Sequence, residues 1–243
     1  MHRPWPQRSP LQRGDSIMIN FEGFGTKPLQ VTWAQDFILS TDATSLTITA
    51  VAGGTGAAGT LKNGNIRFSG AATTDNSGAN AQLVLAKWVP SLSEGTYGAI
   101  EGGVILNDVI AEMAFGLAVV DTAIIASAPT DGFYIQKAAG ATGDYSLVVR
   151  GGSATLLSKT LPIPNGDLLL RRFGVEVVYD DFDITKATVN AYYNGSQVWS
   201  QVVTGLPSSA PTLVPTCELH SGSAVGTQTA DLDYWQGRYS RAV

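Results

Sequence analysis

The sequence predicts an all-β fold, an antiparallel two-sheet jelly-roll sandwich. Three observations carry that prediction. Apolar residues recur with a period of two along most of the chain, turn dipeptides separate these runs, and no segment sustains the 3.6-residue period of a long helix. Many short strands without alternating helices select a sandwich or barrel over an α/β sheet.

The elements follow in chain order. Candidate strands are Ile17–Phe21, Val31–Leu39, Leu46–Val51, Asn65–Phe68, Gln82–Trp88, Gly98–Leu106, Glu112–Val120, Phe133–Gln136, Tyr145–Arg150 and Thr155–Leu161. From Arg172 to Tyr179, residues Phe173, Val175, Val177 and Tyr179 share one strand face, with Glu176 on the other. Ala187 to Val203 reads as a hairpin, because Asn194-Gly195 supplies the two positive-φ positions of a type I′ turn between alternating runs. Thr212–His220 and Ala230–Tyr239 complete the set. Turn signals stand at Gly53-Gly54, Asn63-Gly64, Asp131-Gly132, Gly151-Gly152 and Asn165-Gly166. Asp121–Ser127 fits one short helical turn. Gly53–Gly59 reads as a flexible loop, and it lacks the Lys-Ser/Thr ending that a phosphate-binding loop needs.

Charged residues make up only 14% of the chain, against about 25% in an average domain. With 44% hydrophobic residues this argues against disorder, and a surface of Ser, Thr, Gly and Asn suits an exported or assembled protein. The net charge of −5 is uneven: residues 1–13 carry Arg3, Arg8 and Arg13 and no acid, so they hold +3 and the remainder −8. An acidic body is a poor match for nucleic-acid phosphates. The basic head contains Pro4, Pro6 and Pro10 and no alternation, which predicts an extended arm over residues 1–16 and one jelly-roll domain over 17–243. Cys217 is alone, so no intrachain disulfide forms; it reads as small core filler in a protein assembled in a reducing cytoplasm. The first thirty residues hold no continuous apolar stretch, and no run reaches membrane-spanning length, so neither a secretory signal nor a membrane partner is expected.

The run Val189-Asn190-Ala191-Tyr192-Tyr193-Asn194-Gly195-Ser196-Gln197-Val198-Trp199 resembles a hairpin of concanavalin-like and laminin-G-like jelly rolls. Leu232-Asp233-Tyr234-Trp235-Gln236-Gly237-Arg238-Tyr239 resembles their closing strand. An ordered set is similar to jelly-roll structural proteins of tailed bacteriophages, including head-decorating proteins. It comprises Gly64–Phe68, Thr74–Ala79, Ile100–Val104, Phe115–Ala118 and Asp131–Ile135. That resemblance implies a virion component.

Concanavalin-like folds include glycoside hydrolases with Glu-x-Asp-x-x-Glu on one strand, which sets acid and nucleophile on one face. The chain has no such motif, and Glu176 with Asp180 and Asp181 has a different spacing. No paired carboxylates are expected, and no catalytic residue is assigned. Asp180-Asp181-Phe182-Asp183 lacks EF-hand spacing and reads as a solvated acidic turn. Asp231 and Asp233 alternate on the last strand, so they are expected on one side. His2 and His220 have no His, Cys or carboxylate at ligand spacing, so no metal is assigned. Trp199, Tyr192, Tyr193, Tyr234 and Trp235 are candidates for stacking on sugar. In each tyrosine-containing pair the period of two allows only one member into the core.

The sequence therefore predicts a non-enzymatic virion structural protein without cofactor. It would decorate or cement the capsid of a tailed phage as a homo-oligomer. Its partners would be capsid or other virion proteins, contacted by the body and by an arm whose binding residues are Arg3, Trp5, Arg8 and Arg13. The alternative is a receptor- or glycan-binding module of a phage tail or fibre.

Overall fold

The computed structural model describes residues 30–36, 46–58, 65–71, 74, 76–84, 86–90, 96–107, 111–121, 123–139, 143–165, 169–222 and 228–240. Within them the regular elements are strands, and no helix occurs among the described residues. In order they are β1 (Gln30–Asp36), β2 (Leu46–Val51), β3 (Thr55–Ala58), β4 (Ile66–Ser69), β5 (Gly78–Leu83), β6 (Tyr97–Leu106), β7 (Glu112–Ala118) and β8 (Gly132–Lys137). There follow β9 (Tyr145–Gly151), β10 (Ala154–Thr160), β11 (Leu170–Tyr179), β12 (Lys186–Tyr193), β13 (Ser196–Thr204), β14 (Val214–His220) and β15 (Thr229–Ser240). The candidate strand Ile17–Phe21, residues 1–16 with Arg3, Trp5, Arg8 and Arg13, and the Asn63-Gly64 turn lie outside the described residues.

The strands form two antiparallel sheets. The larger runs β13-β12-β11-β6-β15-β4-β3, with β1 also paired to β15; the smaller runs β10-β9-β8-β7-β14-β5-β2. β15 lies deep in the larger sheet, with β6 on one side and β4 and β1 on the other. The core fills the space between the sheets. Phe173, Val175, Val177 and Tyr179 of β11 are at most 4% exposed, while Glu176 lies half-buried on the opposite face. Across the gap stand Phe115, Ile135, Leu147 and Cys217, all fully buried. Tyr145 stacks on Phe173 with centroids 5.5 Å apart. Each such side chain stabilises the fold by about 1.5–3 kcal/mol relative to exposure. Burial also pushes the Cys217 thiol well above its ordinary range, which keeps it protonated and inert.

Among the described residues three turns have positive φ at both central positions, Asn194 (50°) with Gly195 (83°), Gly152 (57°) with Ser153 (70°) and Ala52 (48°) with Gly53 (80°). Three expectations are corrected. Gly53–Gly59 is not a plain loop: Ala52 and Gly53 turn at positive φ and Thr55–Ala58 forms β3 against β4. A Cβ on Gly54 would stand 2.2 Å from the Gly78 backbone and one on Gly56 2.7 Å from Ile48, so these glycines permit close passage between the sheets. The strand expected at Gln82–Trp88 is Gly78–Leu83, and Trp88 makes only an isolated bridge to Leu213. No helical turn forms over the described residues of 121–127.

That last segment instead crosses the outer face of the smaller sheet, where Ile124 packs on Ala114, Ala118, Tyr134 and Val148 as a second, small apolar cluster. Side chains from the sheet fasten it. Gln82 donates to the Val119 carbonyl at 3.1 Å and accepts from the Asp121 amide at 3.0 Å, and Asn80 donates to the Asp121 carbonyl at 2.9 Å.

Candidate functional site

The outer face of the larger sheet collects the polar aromatic chemistry. On β11 every second residue from Arg172 to Val178 points away from the core, and antiparallel register places partners beside them. Gly174 lies opposite both Glu101 on β6 and Tyr192 on β12, and Glu176 lies opposite Ala99 and Asn190. Gly103 lies between Arg172 and Tyr234. The result is a continuous patch of Glu101, Glu176, Asn190, Tyr192 and Tyr234, bordered by Arg172 and Arg238.

The glycines shape this patch. A Cβ on Gly103 would stand 2.7 Å from the Tyr234 ring, and one on Gly174 3.2 Å from Tyr192 Cβ, so both tyrosines lean over bare backbone. Each ring is then fixed at its far end. The Tyr192 hydroxyl donates to Glu176 Oε2 at 2.9 Å, beside the Asn190 amide, which donates to the same oxygen at 2.9 Å. The Tyr234 hydroxyl donates to Glu101 Oε1 at 3.1 Å. Burial, reinforced by the adjacent carboxylate, raises both phenols far above their ordinary value, so both remain donors at physiological pH. Tyr97, on the same face, is also raised by burial, against the influence of nearby Arg238.

This geometry corrects one expectation. Glu101 and Glu176 stand on adjacent strands as diagonal neighbours, a placement with Cβ atoms about 7–8 Å apart. A search for paired carboxylates along one strand misses a pair made by register. Each accepts a hydrogen bond from a neutral hydroxyl and so acts here as an anchor for an aromatic ring. Among the stacking candidates the structure separates each pair as the alternation required. Tyr193 packs against Phe173 at 5.8 Å and Trp235 is fully buried, while Tyr192 and Tyr234 reach the outer face. Trp199 packs half-buried against the core beneath Lys159, whose ammonium lies 4.6 Å from the ring centroid.

The other candidate groups are engaged. Asp231 receives a bidentate Arg67, at 2.8 Å to each oxygen, together with Asn65 at 2.5 Å and Asn107 at 3.0 Å. Its lone pairs are thus committed to fixed donors. It does not share a face with Asp233 through simple alternation, because the register shifts between Leu232 and Tyr234 and both Leu232 and Trp235 enter the core. His220 does have carboxylate partners. Nε2 lies 2.5 Å from Glu218 Oε1 and Nδ1 lies 4.0 Å from Glu112 Oε2. Two-residue spacing on β14 puts Glu218 and His220 on one face, and the β14–β7 register sets Glu112 opposite His220. The second Glu218 oxygen accepts the Ile124 amide and, at 3.3 Å, the Ile125 amide, so this buried cluster holds down the crossing segment.

The acidic turn is solvated, as its composition suggests. Asp183 accepts from Lys186 at 2.8 Å and from the Thr185 amide at 3.0 Å, and these contacts, the lysine first, lower its carboxyl to about 2. No group of three or more His, Cys, Asp or Glu able to hold a metal occurs among the described residues. No helix among them is long and apolar enough to cross a membrane.

Neither a family model nor a curated protein matches the chain. Solved structures do. Peanut lectin in complex with a nine-residue peptide superposes with TM-score 0.54 at 10% identity, covering 88% of this chain and 99% of that one. The carbohydrate recognition domain of Emp46p gives 0.56 at 12% identity, covering 86% and 96%. The CBM2 module of the evolved Dit of Lactobacillus casei BL23 phage J-1 gives 0.55 at 9% identity, covering 88% and 99%. These likenesses, together with the two antiparallel sheets, show that the chain has the lectin-like, concanavalin-type jelly-roll fold.

Proposed function

We propose that the chain is a non-enzymatic glycan-binding module of a tailed-phage particle, with the outer face of the larger sheet as its sugar platform. The observation that carries this reading is the pair of tyrosines, Tyr192 and Tyr234, each leaning over a glycine and tied to a glutamate. Sugars need flat aromatic surface beside fixed donors and acceptors, and this face supplies both with little conformational entropy left to lose. The likeness to a phage Dit module and to lectins supports the same reading.

The test is a glycan array that includes bacterial cell-wall polysaccharides, followed by calorimetry on any hit. Tyr192→Ala and Tyr234→Ala should each weaken binding by about 10–100-fold, the loss set by one charge-assisted hydrogen-bond network. An array without hits, or hits unaffected by both substitutions, refutes the platform.

A second reading, capsid decoration with the arm as a strap, draws on the +3 charge of residues 1–13 and on Arg3, Trp5, Arg8 and Arg13. Electron microscopy of the assembled particle separates the two: many copies on the shell support decoration, few copies at the tail tip support the glycan module.

A further inference from the structure

The turn between β11 and β12 carries a feature that the sugar platform does not use. Phe182 at its tip is 96% exposed. The turn itself is held in place: the Phe182 amide donates to Asp180 Oδ1 at 2.9 Å, and the Asp180 amide bonds the Lys186 carbonyl at 3.0 Å. Beside it opens a groove of about 270 Å³ lined by Val178, Asp180, Asp181, Lys186, Thr188 and Val202 among others. Val178, Thr188 and Val202 are successive register partners across three strands, and Val202 is 59% exposed. The floor is therefore mixed, two valines flanking the hydroxyl of Thr188. The rim carries Asp180 and Asp181 against the single ammonium of Lys186, which Asp183 of the same turn already holds at 2.8 Å.

The chain contains a segment of complementary chemistry. Residues 1–13 carry Arg3, Arg8, Arg13 and Trp5 and no acid. Sheet topology also places its point of attachment nearby. Gln30 pairs with Ser240, Tyr239 with Gly98, and Tyr97 with Val178, so β1 begins at the same end of the larger sheet at which β11 runs into the acidic turn. From β1 to β11 is three strand spacings and to β13 five, or roughly 14 to 24 Å. The thirteen residues from 17 to 29 reach up to about 45 Å when extended, so the arm spans this gap without strain. Attachment at this distance raises the arm's effective concentration at the groove far above that of any free partner.

We infer that the groove beside Phe182 is the docking site of the chain's own N-terminal arm, with the arginines against Asp180 and Asp181 and Trp5 against Phe182 and the Val178 and Val202 side chains. The inference stands apart from the glycan reading. A capsid or other virion protein that captures the arm must first displace it from this groove.

Trypsin tests it on the full-length chain, because cleavage after Arg8 and Arg13 requires a free arm. Asp180→Asn/Asp181→Asn and, separately, Phe182→Ala should each accelerate that cleavage at low ionic strength by about five- to tenfold, the scale of exposed charge pairs and one aromatic anchor. All three residues are exposed, and an unchanged β-type circular dichroism spectrum verifies the fold of each variant. At 1 M salt the wild-type chain should be cut as fast as the Asn variant, since screening removes the charge pairing. Equal cleavage of wild type and both variants at low salt overturns the inference. Protection that disappears on dilution in step with a dimer seen by sedimentation also overturns it, by making a second copy's arm the occupant.

Discussion

Glu218 offers the sharpest test of how the smaller sheet is covered. It is fully buried, and its two oxygens serve different masters: Oε1 faces His220 Nε2 at 2.5 Å, while Oε2 accepts the Ile124 and Ile125 amides of the crossing segment. Glu218→Ala orphans those amides and removes the partner of a buried imidazole. Leaving a buried donor unsatisfied costs about 1–3 kcal/mol, with the 3.3 Å bond to Ile125 at the low end. The two orphaned amides together give an expected total of about 2–4 kcal/mol. For 243 residues the unfolding entropy is about 0.5 kcal/mol/K, which converts that loss to a fall of roughly 4–8 °C in Tm. Glu218→Gln retains an acceptor for the Ile124 amide and should fall less. Scanning calorimetry reads the total, and amide hydrogen exchange reads the locality: the Ile124 and Ile125 amides should lose protection first, ahead of β7 and β14. A Tm within about 2 °C of wild type, or unchanged exchange at Ile124, refutes the role assigned to Glu218.

Two further outcomes follow from the turns. Gly195 sits at φ 83° with nothing within 4 Å of an added Cβ, so Gly195→Val is opposed by backbone strain alone, about 1–2 kcal/mol; thermal denaturation should show a fall of roughly 2–4 °C. Asp183, lowered to about 2 by Lys186 and Thr185, should titrate near that value by NMR; since its folded pKa lies below the ordinary 3.8, its contribution to stability is present above that pH and is lost as pH falls toward 2.

Legibility in the sequence followed the range of the interaction. The Asn194-Gly195 hairpin and the two faces of β11 are set by neighbours in the chain, and both were readable from alternation and turn chemistry. β2 was readable to its end residues, because Leu46, Ile48 and Ala50 alternate with Thr47 and Thr49. β5 was displaced because Gly78-Ala79-Asn80-Ala81 lacks the branched and aromatic residues that signal a strand, and its pairing is dictated by β14 and β2. Glu101, Glu176 and the tyrosines they anchor come together only through register among four strands. Glycines inside the β6 and β11 patterns, Gly103 and Gly174, were the available signal that something large lies over the backbone there. The carboxylates around His220 were closer to hand, since Glu218 shares its strand face two residues earlier.

The position of β15 bears on how this molecule is made. The last strand among the described residues is the one to which β1, β4 and β6 all pair, joining residues as distant as Gln30 and Ser240. During synthesis β1 and β4 have no lasting neighbour on that side until residues 229–240 leave the ribosome, so the larger sheet closes only once β15 has emerged. Contacts of such sequence separation fold slowly and leave unpaired edges exposed in the interim. A nascent chain stalled before Thr229 therefore holds the smaller sheet's strands complete and the larger sheet in three unjoined pieces, β13-β12-β11-β6, β4-β3 and β1 alone, the form in which this protein is most open to chaperones and to aggregation.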